Sequence, residues 1–201
     1  MCEVFLDLET KKWFDEIGKR DPAKLGVSFV GIYVRRGKSG EGMAEGEFLG
    51  FFEKDLAKLW PIVEEADLVV GYNIKKFDYP VLAPYYPGNL SRFPTLDLFE
   101  VVKEETGVRL KLDGLAQATL GMEKNGRGEE AVWFYKEGKL EQLAKYCLWD
   151  VRLTRDLFDY LKEFGKIAYF DVKGEKKEVE IALDKWLPKR EKSPNQMRLG
   201  V

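Results

Sequence analysis

The chain has 201 residues, 45% of them hydrophobic, and a formal net charge of −2. This suits one sizeable domain with a full core, and it removes any bulk-charge case for nucleic acid: phosphate would have to be drawn by local lysines and arginines or by bound metal ions. Histidine is absent and the only cysteines are Cys2 and Cys147, which excludes imidazole or thiolate zinc sites, Ser-His and Cys-His catalysis, and a disulfide framework.

Carboxylates, Tyr, Lys and hard metal ions remain as the chemical repertoire. No apolar run approaches the ~18–20 residues of a membrane helix, and the N-terminus carries no secretion signal. The expected location is therefore cytoplasmic, with no membrane association.

Residues 2–8 read as a strand, closed by Asp7-Leu8-Glu9-Thr10. Residues 10–24 are charged and irregular, with Trp13 and Phe14 as anchors. A second, β-branched and aromatic strand spans 26–34. Residues 35–46, with four glycines, read as a hairpin loop, and 47–52 as a third strand. Asp55 is placed to cap a helix through about Glu65, with Pro61 breaking or kinking it. Leu68-Val69-Val70-Gly71 reads as a short buried strand. Asp78–Tyr86 is helical in pattern, with Pro80 in its opening turn and Pro84 ending it early. Residues 95–98 are a fifth strand, followed by a helix to about Thr106; Leu112–Leu120 is another, stopped by Gly121.

The longest periodic stretch is Leu140–Phe164, with Leu140, Leu143, Ala144, Cys147, Val151, Thr154, Leu157, Phe158 and Leu161 on one face and Gly165 as its stop. Ala168–Val172 and Val179–Leu183 suggest a β-hairpin around Gly174, and a basic tail follows Trp186. The expected fold is α/β: a mixed five-stranded sheet flanked by helices. Its first three strands are antiparallel, and the fourth and fifth run parallel to the first. The division is a domain over 1–165 and a hairpin with basic tail over 166–201, packed on that domain or extending its sheet, with a substrate wall as its other reading.

Three acidic motifs end these elements. Asp7 and Glu9, at i and i+2, point to one side of the sheet. At ~4 Å two such charges repel by roughly 4 kcal/mol near a surface, so a buried pair calls for a cation. In Gly71-Tyr72-Asn73-Ile74-Lys75-Lys76-Phe77-Asp78, Phe77 is the expected inward anchor and Asn73 the loop clamp. Taken alone, Asp78 there reads first as a helix N-cap. In Tyr146-Cys147-Leu148-Trp149-Asp150, Tyr146 and Asp150 share a helix face bordering the apolar stripe. Alone, this motif reads first as a solvated aspartate beside a boundary tyrosine.

Together, D-x-E at the first strand end, N-x-x-x-F-D after the fourth strand and Y-x-x-x-D in the late helix resemble the DEDD superfamily of 3′–5′ exonucleases. That superfamily, also called DnaQ-like, has a ribonuclease H-like fold; the tyrosine matches its DEDDy branch. The resemblance covers roughly the first 160 residues. It implies that Asp7, Glu9, Asp78 and Asp150 bind two divalent cations, Mg²⁺ or Mn²⁺, with Tyr146 positioning a water. It implies hydrolysis at the 3′ end of single-stranded DNA or RNA, with a helicase or polymerase role requiring a partner chain.

Substrate contacts are expected from Leu8, Thr10, Asn73, Lys75, Lys76 and Phe77, with Tyr72 a further base contact; Phe77 reads first as core. Asp97 is a weaker candidate that reads first as structural, and Lys124 and Arg127 are candidates for phosphate contact for which a solvated role serves as well. The alternatives are a catalytically silent nucleic-acid- or protein-binding module of the same fold, and an endonuclease.

Overall fold

The first strand, β1 (Cys2–Thr10), is the spine of the sheet. In the computed structural model, which describes residues 1–18, 21–38, 42–43, 45–122 and 130–188, β1 pairs antiparallel with β2 (Val27–Lys38) and parallel with β5 (Leu68–Gly71). A two-residue strand, β3 (Gly42–Met43), pairs with the far end of β2, and β4 (Glu47–Phe52) pairs antiparallel with β2. On the other flank β6 (Thr95–Asp97) runs parallel to β5. Among the described residues the main order is thus β4-β2-β1-β5-β6, the mixed five-stranded sheet that the pattern predicts, with β3 as a short addition.

Period-two alternation divides β1 between two cores. Val4, Leu6 and Leu8 face one layer, with the short helices α1 (Trp60–Glu64) and α2 (Asp78–Leu82). Phe5 faces the other, with α3 (Leu98–Thr106), α4 (Leu112–Leu120) and α6 (Leu140–Phe164). A seventh-strand hairpin, β7 (Lys166–Phe170) with β8 (Lys176–Glu180), forms a separate two-stranded sheet.

Close approach of α6 to the sheet depends on Gly31. A methyl group there would sit 3.0 Å from Cys147 Sγ and 3.0 Å from Leu148 Cδ2. Gly31 is the register partner of Asp7, so this gap lets α6 settle beside the end of β1. Helix α6 keeps its expected limits, ending at Gly165 in the left-handed region (φ 66). Its buried face also includes Leu153, while Leu140 is exposed.

Several expectations are corrected. Residues 35–38 continue β2 rather than opening a loop, because Gly37 and Lys38 find partners in β3. Asp55 caps nothing; a 3-10 segment (Glu53–Lys58) precedes α1, and Pro61 begins that helix, where its missing N–H costs no bond. A further helix, α5 (Glu130–Lys136), packs Ala131 against Leu143 and Cys147 of α6. The first hairpin strand lies two residues earlier than expected and the second three, since Asp171 Oδ1 accepts the Lys173 and Glu175 N–H groups (2.8 and 3.0 Å) and so closes the turn there. Nor does the hairpin extend the main sheet: the Thr119 hydroxyl exchanges two hydrogen bonds with the Ala168 backbone, tying β7 to α4. Lys124, Arg127 and the basic tail from Lys189 lie outside the described residues.

Candidate active site

The acidic motifs meet where β1 ends. Asp7 and Glu9 project from the α6 side of β1, and a register shift between Glu9 and Thr10 marks a bulge there. Asp150 comes across from α6. One oxygen each from Asp7, Glu9 and Asp150 lie within 4.8 Å of one another, and all three residues are half-buried. Asp78, the first residue of α2, is outside that set of three. It borders the same cleft, is only 3% exposed, and its Oδ1 is buried without a hydrogen-bond partner.

Burial and repulsion from neighbouring carboxylates raise the pKa values of all four acids. Burial pushes Asp7 well above the usual carboxylate range, and the Asp78 charge pushes it further; the Cys147 thiol, donating to Asp7 Oδ2 at 3.5 Å, pulls the other way. Glu9 is raised by burial and then by Asp7, Asp150 and Asp78. Asp78 is raised by burial and Asp97, against opposing backbone amides. Asp150 is pushed up to about 8, by burial first and then by Asp7 and Asp113. Among the described residues no lysine or arginine pairs with any of the four. The donor set is therefore all oxygen, crowded and uncompensated, which suits a hard divalent cation.

Tyr146 lines the cleft one turn before Asp150. Burial and then Asp150 and Glu9 raise its pKa, so the phenol holds its proton at neutral pH. Its hydroxyl has no protein partner among the described residues.

The second loop is built differently from its sequence reading. Asn73 adopts a left-handed φ of 64, and the clamp is Asp97 rather than the Asn73 side chain. Asp97 accepts the N–H groups of Asn73 (2.8 Å), Lys75 (3.1 Å) and Phe99 (3.1 Å), joining the loop to the start of α3. The inward anchor is Ile74, fully buried; a methyl group on Gly71 would lie 2.6 Å from its Cβ. Phe77 is half-buried, meets Phe14 edge to face at 6.2 Å, and borders the cleft.

The remaining expected contacts divide. Tyr72 borders the cleft while donating to the Leu110 carbonyl at 2.8 Å. Leu8 reaches the cleft from a buried position, and Thr10 donates to the Lys12 carbonyl at 3.0 Å. Lys75 and Lys76 both turn to Glu100, at 2.9 and 3.6 Å, and neither borders the cleft. Lys12, Trp13, Phe14, Leu25 and Val132 complete a cleft of about 310 Å³. None of these five was expected at the site. The closeness of Lys12 and Trp13 to Glu9 in sequence was the available signal; Val132 depends on the unexpected α5.

The fold and this acidic strand end define a nuclease-type architecture. A family model of the RNase H superfamily matches residues 4–162, and the chain belongs to that superfamily. Among solved structures it is similar to the family B DNA polymerase from the hyperthermophilic archaeon Pyrobaculum calidifontis, at 22% identity and a TM-score of 0.59. That match covers 81% of this chain and 25% of the polymerase, so the chain spans a quarter of that protein's length. A search of curated proteins gives no match.

Proposed function

We propose that the chain is a metal-dependent 3′–5′ exonuclease of the DEDDy type, acting on single-stranded DNA or RNA. The observation that carries the reading is the convergence of Asp7, Glu9 and Asp150 within 4.8 Å, with no protein cation paired to them among the described residues. The buried, unpartnered Asp78 Oδ1 beside them supplies a further oxygen.

Asp7, Glu9, Asp150 and Asp78 would hold two divalent cations, Mg²⁺ or Mn²⁺. Such ions, when bound, acidify water and neutralise charge on the phosphate and the departing 3′ oxygen. The protein's own part is to keep the carboxylates in place: β1 and Gly31 set the distance between Asp7 and α6, and Asp97 fixes the loop leading to Asp78. Tyr146, protonated, donates its hydroxyl to orient the attacking water rather than to remove its proton. Phe77 and Tyr72 offer apolar surface to the end of the strand.

The test is an oligonucleotide labelled at its 5′ end, as DNA and as RNA, incubated with Mg²⁺ or Mn²⁺ and again with a chelator. The expected product is a ladder shortened from the 3′ end, lost with chelator. Internal cuts would make the chain an endonuclease, and no cutting under any of these conditions would favour a silent binding module.

A further inference from the structure

Cys147 touches the acidic cluster but has no role in the chemistry above. It is fully buried on α6, clusters with Phe29, Ala131 and Leu143, and sets its sulfur in the gap that Gly31 leaves. That sulfur lies 3.4 Å from the Asp7 main-chain oxygen and 3.5 Å from Asp7 Oδ2. A main-chain oxygen can only accept, so the sulfur carries the hydrogen, and the same hydrogen can turn to the carboxylate beside it. Both acceptors belong to one residue, which ties α6 to the backbone and the side chain of Asp7 together.

The four acids differ in what holds them. Backbone amides of Asp78 and Leu8 hold the Asp78 carboxylate. Among the described residues the Cys147 thiol is the one donor to the Asp7 carboxylate, and Glu9 and Asp150 have none. The last torsion of an aspartate is broad, so the plane of its carboxylate is set by whatever bonds to it. Carboxylates that bind metal are fixed by such partners, and losing the partner weakens the ion's hold. We propose that Cys147 is a positioning residue, whose thiol sets the plane of the Asp7 carboxylate before a divalent cation arrives. The proposal rests on the metal-dependent reading of the cleft and deepens it, by naming what prepares one of the ligands.

The experiment reads metal binding apart from hydrolysis. Free Mn²⁺ is followed by electron paramagnetic resonance as protein is added, for wild type, Cys147→Ala and Cys147→Ser. Cys147→Ala should weaken Mn²⁺ binding about tenfold, and Cys147→Ser, which keeps a donor, should stay close to wild type. A role in packing alone gives the opposite order, because a hydroxyl buried for no bond costs more than a methyl group. Equal affinity in all three proteins, or Cys147→Ser weaker than Cys147→Ala, would overturn the positioning role. Where either variant fails to fold, the infrared S–H stretch decides in a Cys2→Ser background, in which Cys147 holds the sole thiol. The band should rise in frequency when Mg²⁺ is added, as the ion draws charge from the acceptor; an unmoved band overturns the proposal. Cleavage of an end-labelled oligonucleotide separates the two ideas. Hydrolysis with Mn²⁺ affinity indifferent to the Cys147 substitutions removes the positioning role and leaves the exonuclease. Affinity that depends on Cys147 without hydrolysis does the reverse, and a wild type that binds no Mn²⁺ overturns both.

Discussion

Strand β1 carries buried acids at both ends, and the protein treats them in opposite ways. At its start Glu3, 1% exposed, is met by Arg35 at 2.7 Å and by Lys162 at 3.7 Å, and Arg35 also holds Asp159 through both terminal nitrogens. The guanidinium further lies over the Phe5 and Phe158 rings, at 5.1 and 6.0 Å. At its end Asp7 and Glu9 meet two more aspartates, and among the described residues no protein cation. Buried charge is costly unless compensated. Where the compensation comes from within the chain, the group serves the fold; where it is left to a ligand, the group serves chemistry.

The largest effect should follow from removing a ligand at the uncompensated end. Asp7→Asn should lower single-turnover hydrolysis of an end-labelled oligonucleotide by at least about 10³-fold, beyond the ~10–100-fold that loss of an outer partner to a metal site costs. Its denaturation midpoint in chelator should not fall. At the compensated end the reverse holds. Arg35→Met strands Glu3 without its main partner and should cost roughly 3–5 kcal/mol in urea denaturation, with hydrolysis by the folded fraction retained. An Arg35→Met protein as stable as wild type would erase the contrast.

Tyr146→Phe should be intermediate. Loss of the hydroxyl should slow single-turnover hydrolysis by about 10²-fold at saturating metal, with oligonucleotide affinity kept. A rate equal to wild type across pH would reduce Tyr146 to a packing residue.

The smallest effect is on stability, and its sign follows from proton uptake. Asp150 is raised to about 8 in the folded chain, against an ordinary value near ~3.9 when unfolded. Between those limits the folded state binds more protons than the unfolded state, so metal-free stability falls as pH rises through this window. Asp150→Asn should therefore raise the Tm in chelator by roughly 2–4 °C at pH 8.5, equivalent to about 1 kcal/mol, and change it little at pH 5. Mg²⁺ should stabilise the wild type more than the variant. A variant that melts lower than wild type in chelator at pH 8.5 would make Asp150 a structural acceptor instead.

How far the sequence discloses this molecule depends on whether the signal is local. Leu140–Phe164 is legible because its apolar residues recur over seven turns and end at a glycine, and Leu68–Gly71 because four apolar residues stand between polar ones. Asp7 with Glu9, and Tyr146 with Asp150, are legible as pairs because strand and helix periods fix their faces. The short α5 is not, since only Ala131 and Val132 of its seven residues are buried and Trp133-Phe134-Tyr135 has the composition of a strand. The Asn73 clamp reading failed because the acceptor, Asp97, arrives from a strand 24 residues away. Trp13 reads as an anchor by size alone; its place at the cleft is decided by Lys136, on an element that local pattern does not reveal.

The long helix α6 belongs to both ends of β1 at once. Its first half delivers Tyr146 and Asp150 to the cleft and Cys147 to Asp7, and its second half delivers Asp159 and Lys162 to Glu3 and Arg35. The interval between them works as a gauge. A single residue inserted between Asp150 and Asp159 would turn everything beyond it by about 100° and advance it by about 1.5 Å. One end would then lose its partners whichever half kept its seat. In a lineage of such proteins, that interval should vary freely in the identity of its exposed residues and hardly at all in its length, whereas the turn at Lys173-Gly174 has no comparable reason to keep count.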